Sequence, residues 1–550
     1  MDAPIVRVAH NAPAAKQQSG RLRCPPLADG KGGRHGSTGA ALLPRALRLL
    51  QGARTRGLLL FLALLACYTY FLPRWADWNQ NSRFDLVLAL VEEGTARIDR
   101  HVANTGDYAY YGGHYYSDKA PGLALLGVPV YASLRGFIPG TVAAGMGAAS
   151  DNPAIISTLR EGASSVEPDR MDYFAGLVIV TLFVVALPSA ALGLIFLRMA
   201  TLFGCPEKQA LLATLLYCVA TSAFAYANAF VGHQTSALLL FGAFALLFGI
   251  RRRVLGSYWL LLVGFLLGYA VITEYPTALI AGLLGLYGLW TLGRPLRVGL
   301  YPLVGAVPPL VMLAAYDYAA FGTPLPVGYA YSSLWSNVHS VGFMSLTYPQ
   351  AEALWGITFG AHRGLFFLSP YLLLALPGYF VLWRQKALRP EFWILLLAPI
   401  SFLLFNGSSV MWQGGFAVGP RYLVPALPFL ALAAAIGLAW AWQRLALRLA
   451  VSLAGAWSLL AVWAETIAGQ SFPDYTPNPL FDLSLPRLAA GDVARNAGMF
   501  LGLAGWASLL PLLAVELPAL ILVLLSFSAR LPRRRGGPSI EGSRPEWASR

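Results

Sequence analysis

Apolar stretches near the length of a membrane-crossing helix recur along this chain, and they restrict it more than any other feature does. Inside hydrocarbon the backbone has no water to bond, so a spanning segment must satisfy its own amides and carbonyls. Roughly twelve such stretches are read. The first is 57–72, and the others begin near Asp172, Ala210, Thr235, Tyr258, Thr277, Tyr301, Gly364, Trp393, Arg421, Leu445 and Met499. Pro276, Pro308 and Pro428 interrupt some of them. The stretch 122–138 is short and reads as re-entrant or interfacial.

Composition agrees. With 57% hydrophobic and 12% charged residues and a mean hydropathy of +0.58, the chain has too little polar surface to cover a soluble globule. The expected fold is an all-α polytopic membrane protein. Arg251 to Arg253, Arg294 with Arg297, Arg384 with Lys386 and Arg389, Arg444 with Arg448, and Arg530 with Arg533 to Arg535 fall on one side if the spans alternate. Both termini are then cytoplasmic. The net charge of +14 reads as topology, and nucleic acid is not an expected partner, since no separate basic fold exists to carry it.

The expected organisation is a basic cytoplasmic tail over 1–56, a transmembrane domain over 57–528 and a second tail over 529–550. The stretch 57–72 follows a long charged leader without a small-residue cleavage site, so it reads as a retained anchor. Cys67 and Cys218 fall in spans, and Cys24 and Cys205 fall on the cytoplasmic side. That placement leaves no external disulfide, and the spacing is not that of a metal site.

Everything chemically distinctive then lies on the outer face, in loops 74–171, 323–363, 410–420 and 469–498. The first loop is the richest. Ser82, Arg83, Phe84 and Asp85 before LVLALVEE have the pattern of a helix start, with Ser82 as cap and Asp85 at the third helical position. That helix is expected to be short, amphipathic and interfacial. Next, YAYYGGHYYS places aromatic runs around Gly112 and Gly113, a two-residue hairpin signal that folds His114 toward Tyr111 and delivers Asp118 and Lys119 to the membrane surface.

Each of these residues also has a plainer reading. Asp85 serves equally well as a capping carboxylate, the tyrosines as an interfacial belt, and Lys119 as a snorkelling cation. His233, in VGHQ between two spans, reads as a satisfied polar residue or as a ligand-facing one. Glu274, in TEYP at the outer end of a span, is harder to dismiss, because a carboxylate there is costly unless paired or wet.

The stretch from Gly113 to Pro121, G-H-Y-Y-S-D-K-A-P, follows an acidic loop with a short helix. It resembles the G-x-x-Y-x-D-K-x-P-like element of GT-C membrane glycosyltransferases, in the branch with protein mannosyltransferases, lipid A aminoarabinose transferases and RgtA-like proteins. The resemblance covers most of the chain. It extends to EALWGITFGAHRGLFFLSP from Glu352, WQGGFAVGPRYLVPALPFL from Trp412 and PNPLFDLSLPRL from Pro477.

What the resemblance implies is transfer of a hexose or pentose from a polyprenyl-phosphate carrier to an acceptor at the outer face of the cell (inner) membrane. The acceptor is a glycan, a lipid or a protein. By position, Lys119 is the residue that holds the lipid phosphate and Asp118 is its acidic neighbour. Relatives with a D-E-x-R-Y start carry an acidic pair before the arginine, where this chain has Gln80 and Asn81. Asp85 is therefore a substitute candidate for the general base, with Asp107 as its rival, and Asp85 is ranked first for lying near the first span.

The chemistry asks for these residue types in its own right. A sugar hydroxyl is a poor nucleophile, so a carboxylate must take its proton as the bond to the anomeric carbon forms. The departing phosphate needs fixed positive charge, supplied by Lys119 with Arg83, Arg363 and Arg421 as helpers. His114, Tyr116, His233, Glu274 and Trp412 are candidate substrate contacts. No Walker or Rossmann motif is present, which suits a lipid-linked donor. No cofactor is assigned. The acidic loop leaves a divalent cation open, although no ligand set has diagnostic spacing. A multi-spanning transporter or flippase is the alternative reading, and it calls for inverted repeats and polar residues near the midplane.

Overall fold

The computed structural model describes residues 52–73, 77–138, 168–293, 295–324, 328–469 and 471–528. The expected tails lie outside these residues apart from 52–56, as does the 139–167 part of the first loop.

The apolar stretches form helices, as their need to satisfy the backbone internally requires. Among the described residues eight helices are long and apolar enough to cross a membrane, beginning at Met171, Gly232, Tyr275, Leu296, Lys386, Arg421, Leu445 and Gly505. The protein is thus a predominantly helical, multi-pass membrane protein, with fewer full-length apolar helices among the described residues than the roughly twelve expected.

The remaining four stretches fall short for identifiable reasons. Ala53–Tyr70 has eighteen residues, but Arg54 and Arg56 occupy its first turn. Glu207–Val219 has thirteen residues and Trp259–Thr273 has fifteen. The stretch from Gly364 is broken into Leu365–Leu368, Pro370–Leu374 and Ala375–Arg384, with Pro370 at the break.

Arg421–Ala441 is the central helix, with 94% of its most apolar 18 residues buried inside the protein. Its neighbour Ala375–Arg384 approaches almost backbone to backbone: a Cβ on Gly378 would lie 1.9 Å from the Ala433 carbonyl oxygen. Small residues at crossings let membrane helices gain dispersion contacts that lipid cannot match.

The first loop builds a second, smaller core of its own from Phe84, Leu86, Val87, Ala109, Tyr116 and Leu123 among others, against Phe230 and Phe321. Its helix is Trp78–Leu88, five residues earlier than expected, and Asp77 is the cap, its Oδ1 accepting from the Gln80 amide at 3.2 Å. Ser82 lies inside the helix and bonds Ser117 through its hydroxyl at 2.9 Å. The expected interfacial placement also changes, because every residue from Gln80 to Leu88 is buried. The cap-like run ahead of LVLALVEE located the element, but its burial depends on loops and spans far away in sequence.

The hairpin forms as its turn residues demand. Strand β1 (Tyr108–Tyr111) pairs antiparallel with β2 (His114–Ser117), and Tyr111 faces His114. Gly112 at φ +59° and Gly113 at φ +86° supply the two left-handed residues of the tight turn. The segment 328–340 then docks on β1: the Ser333 amide donates to the Tyr108 carbonyl at 3.0 Å.

Candidate active site

Two short strips of sequence are locked together beneath the hairpin. Gly122, directly after the D-K-A-P strip, lies against the end of Trp259–Thr273, where a Cβ would stand 2.7 Å from the Ile272 carbonyl carbon. The Tyr269 hydroxyl donates to the Gly122 carbonyl at 2.9 Å. This contact brings Lys119 and Glu274 to one place.

A cavity of about 460 Å3 opens there, and Arg83, Asp107, Lys119, His233, Glu274 and Arg421 all line it. Six of the twelve residues expected from sequence therefore share one space. Its volume suits a small ligand or part of a larger one. Leu279, Phe343, Leu346, Phe405 and Met411 form an apolar part of the same wall.

Three cations meet two carboxylates on the lining, and their partners separate their roles. Arg83, 2% exposed, donates to Glu274 Oε1 at 2.8 Å, to the Ala120 carbonyl at 3.0 Å and to Asn79 at 3.2 Å. His233 Nδ1 is 3.7 Å from the same Glu274 oxygen. Lys119 Nζ stands 3.0 Å from Asp107 Oδ2 and 3.1 Å from Asp118 Oδ1. Arg421 differs from both. Its Nη2 donates to the Tyr422 hydroxyl at 3.2 Å, and it has no carboxylate within ion-pairing distance among the described residues.

The Asp107–Lys119–Asp118 group is supported from the segment 328–340. Trp335 Nε1 donates to Asp107 Oδ1 at 2.9 Å, Ser332 donates to Asp118 Oδ2 at 3.0 Å, and the Tyr329 ring centroid lies 5.9 Å from Lys119 Nζ. Burial works against ionising Asp107, but Lys119, the Trp335 donor and Arg421 outweigh it and hold the carboxyl below its ordinary range. For Asp118 burial wins, helped by the Asp107 charge, and its carboxyl is raised. Burial also opposes the charge on Lys119, yet Asp107 and Asp118 prevail and keep it protonated.

The other expected residues lie elsewhere. Asp85 is fully buried outside the cavity lining, where its Oδ1 accepts from Asn104 at 3.2 Å and from the Tyr173 hydroxyl at 3.0 Å. Burial without a cation raises its carboxyl well above the usual range. Arg363 has its donors on five carbonyl oxygens, those of Gln413, Gly415, Ala417, Phe472 and Pro473. It clamps the loops 410–420 and 469–498 together. His114 Nδ1 is 2.7 Å from Asp99, Tyr116 packs on Phe321, and Trp412 packs on His362. Sequence reasoning singled out none of Tyr329, Ser332 and Trp335; the only hint was an aromatic-rich run, YAYSSLW, in a stretch, 323–351, without Asp, Glu, Lys or Arg.

Among the described residues no three His, Cys, Asp or Glu side chains are grouped to hold a metal ion. The molecule is a multi-pass helical membrane protein with an ion-paired cavity beneath its first loop. It is similar to ArnT from Cupriavidus metallidurans in a crystal structure bound to undecaprenyl phosphate, at 17% identity over 90% of this chain and 76% of that one, with a TM-score of 0.43. No protein-family model matches the chain, and no curated protein does.

Proposed function

We propose that this protein is a membrane glycosyltransferase of the GT-C kind, moving a sugar from a polyprenyl-phosphate donor to an acceptor hydroxyl at the extracytoplasmic face. The observation that carries this reading is a cavity in which a protonated lysine shared by two carboxylates stands together with an arginine that has no carboxylate partner. Such a cation suits an incoming phosphate, because its charge is not already neutralised.

In this scheme Asp107, held ionised, accepts the proton of the attacking hydroxyl through the acceptor capacity left beside its bonds to Trp335 and Lys119. The new bond forms at the anomeric carbon as the bond to the phosphate oxygen breaks on the opposite side, inverting the centre. Arg421 and Lys119 take up the charge that develops on the departing phosphate. Asp107 is preferred to Asp85 because it lines the cavity and Asp85 does not. Leu279, Phe343 and Met411 offer apolar wall to a prenyl chain.

The test is sugar transfer from a polyprenyl-phosphate donor in membranes containing the inserted protein. Asp107→Asn and Lys119→Met are each expected to lose about a hundredfold or more. Asp85→Asn should retain most activity. Full activity in both of the first two variants would remove the site; loss only in Asp85→Asn would move the base back to the first helix.

A further inference from the structure

A second cavity lies at the other end of Gly232–Arg251, the helix whose start contributes His233 to the site above. A twenty-residue helix separates the two by about 30 Å. The arginine distribution assigns this end to the cytoplasm. The cavity measures about 530 Å3, and among the described residues its charged lining consists of Arg251, Arg253 and Arg297 with no carboxylate.

The three arginines are not equivalent. Arg251 is neutralised from behind: it meets the buried Glu391, which also accepts from the Tyr287 hydroxyl at 2.6 Å, and it donates to the Ala387 carbonyl at 3.0 Å. Arg253 and Arg297 have no carboxylate within ion-pairing distance among the described residues. Their two charges stand uncompensated at a concave surface.

The backbone adds an independent sign. Arg253 sits at φ +59° just past the helix end, and the Val254 amide closes onto the Gly249 carbonyl at 3.0 Å. That left-handed position is normally filled by glycine, which carries no Cβ penalty there. This chain places a cavity-lining arginine in it instead.

We propose that this cavity binds a phosphate-bearing anion, with the headgroup of an anionic phospholipid as its source in the membrane. Paired arginines match phosphate oxygens, and basic pockets between spans on the cytoplasmic side suit anionic headgroups. Ser257 adds a hydroxyl, and Leu255, Leu260 and Leu292 make the remaining wall apolar. Leu296, 87% exposed beside Arg297, continues that apolar surface toward the acyl region. Among the described residues no aromatic side chain lines the cavity to stack a base, which favours a headgroup over a nucleotide.

The experiment is native mass spectrometry of the delipidated full chain, titrated with phosphatidylglycerol or phosphatidylcholine, with and without inorganic phosphate as competitor. Phosphatidylglycerol should be retained over phosphatidylcholine. R253Q/R297Q should weaken that retention about thirtyfold. R252Q/R384Q removes two charges on the same side outside the cavity and should change it little. Displacement by inorganic phosphate would identify a free anion as a competent ligand, whereas resistance to it would assign the site to lipid. Equal retention of the two lipids, or equal weakening by the two double variants, overturns the proposal. The lipid comparison needs no variant, so a poorly folding mutant does not rescue it.

Discussion

The guanidinium of Arg83 meets the carboxylate of Glu274 at 2.8 Å across 191 residues of chain, with both side chains nearly enclosed. This pair ties the helix Trp78–Leu88 to the end of a distant helix, at the wall of the cavity. Removing one partner leaves a buried charge, at a cost of about 3–5 kcal/mol. Glu274→Ala should therefore lower thermal stability in detergent sharply, while Arg83→Met combined with Glu274→Met should recover part of the loss. Additive losses in the double variant would show that the two side chains are not coupled.

Trp335 tunes the proposed base. Its indole N–H stabilises the ionised form of Asp107, so Trp335→Phe should raise the Asp107 pKa. A base must be deprotonated to act, and the acid limb of kcat/KM against pH should move to higher pH. An unmoved limb with lower kcat would make Trp335 a structural residue only.

Asp85 predicts a pH dependence of stability. Its folded pKa lies well above the ordinary value, so between the two the native state keeps a proton that the unfolded state releases, and stability falls as pH rises through that window. Asp85→Asn cannot ionise. The variant should gain stability relative to the parent as pH goes from about 5 to about 8; parallel melting curves across that range would refute the assignment.

Arg363 should behave as a structural clamp. Five carbonyl oxygens accept from it, and charge-assisted bonds contribute about 1.5–3 kcal/mol each when lost singly. Arg363→Lys and Arg363→Ala are both expected to reduce folded yield and melting temperature. A normally stable Arg363→Ala protein without transfer activity would instead point to phosphate contact.

The glycine at 122 is a fifth test. A methyl group there meets backbone, not a side chain that can move aside, so Gly122→Ala should destabilise by about 1–3 kcal/mol and reduce transfer. Gly282→Ala, with nothing within 4 Å, should be neutral or slightly stabilising.

Much of the fold was legible locally. Apolar length located eight of the helices, and Gly112-Gly113 between aromatic runs specified the hairpin and its register. The site was legible only in part. Lys119 and Asp118 were marked by their motif, and Asp107 by its charge ahead of the hairpin, but Ser82 was misread as a cap because Asp77 takes that place. Asp85 ranked above Asp107 because sequence proximity to the first span says nothing about which carboxylate faces open space.

The sequence alone determined that this chain lives in lipid, that its backbone is helical, and which acidic and basic residues gather in the first loop, because hydropathy and turn chemistry act between near neighbours. Only the tertiary structure decided which charges are spent on each other and which remain available. Arg83 with Glu274, Trp335 with Asp107 and Ser332 with Asp118 lie 191, 228 and 214 residues apart, and Arg421 stays without a carboxylate among the described residues. Such pairings follow from how helices pack, and no local pattern encodes that.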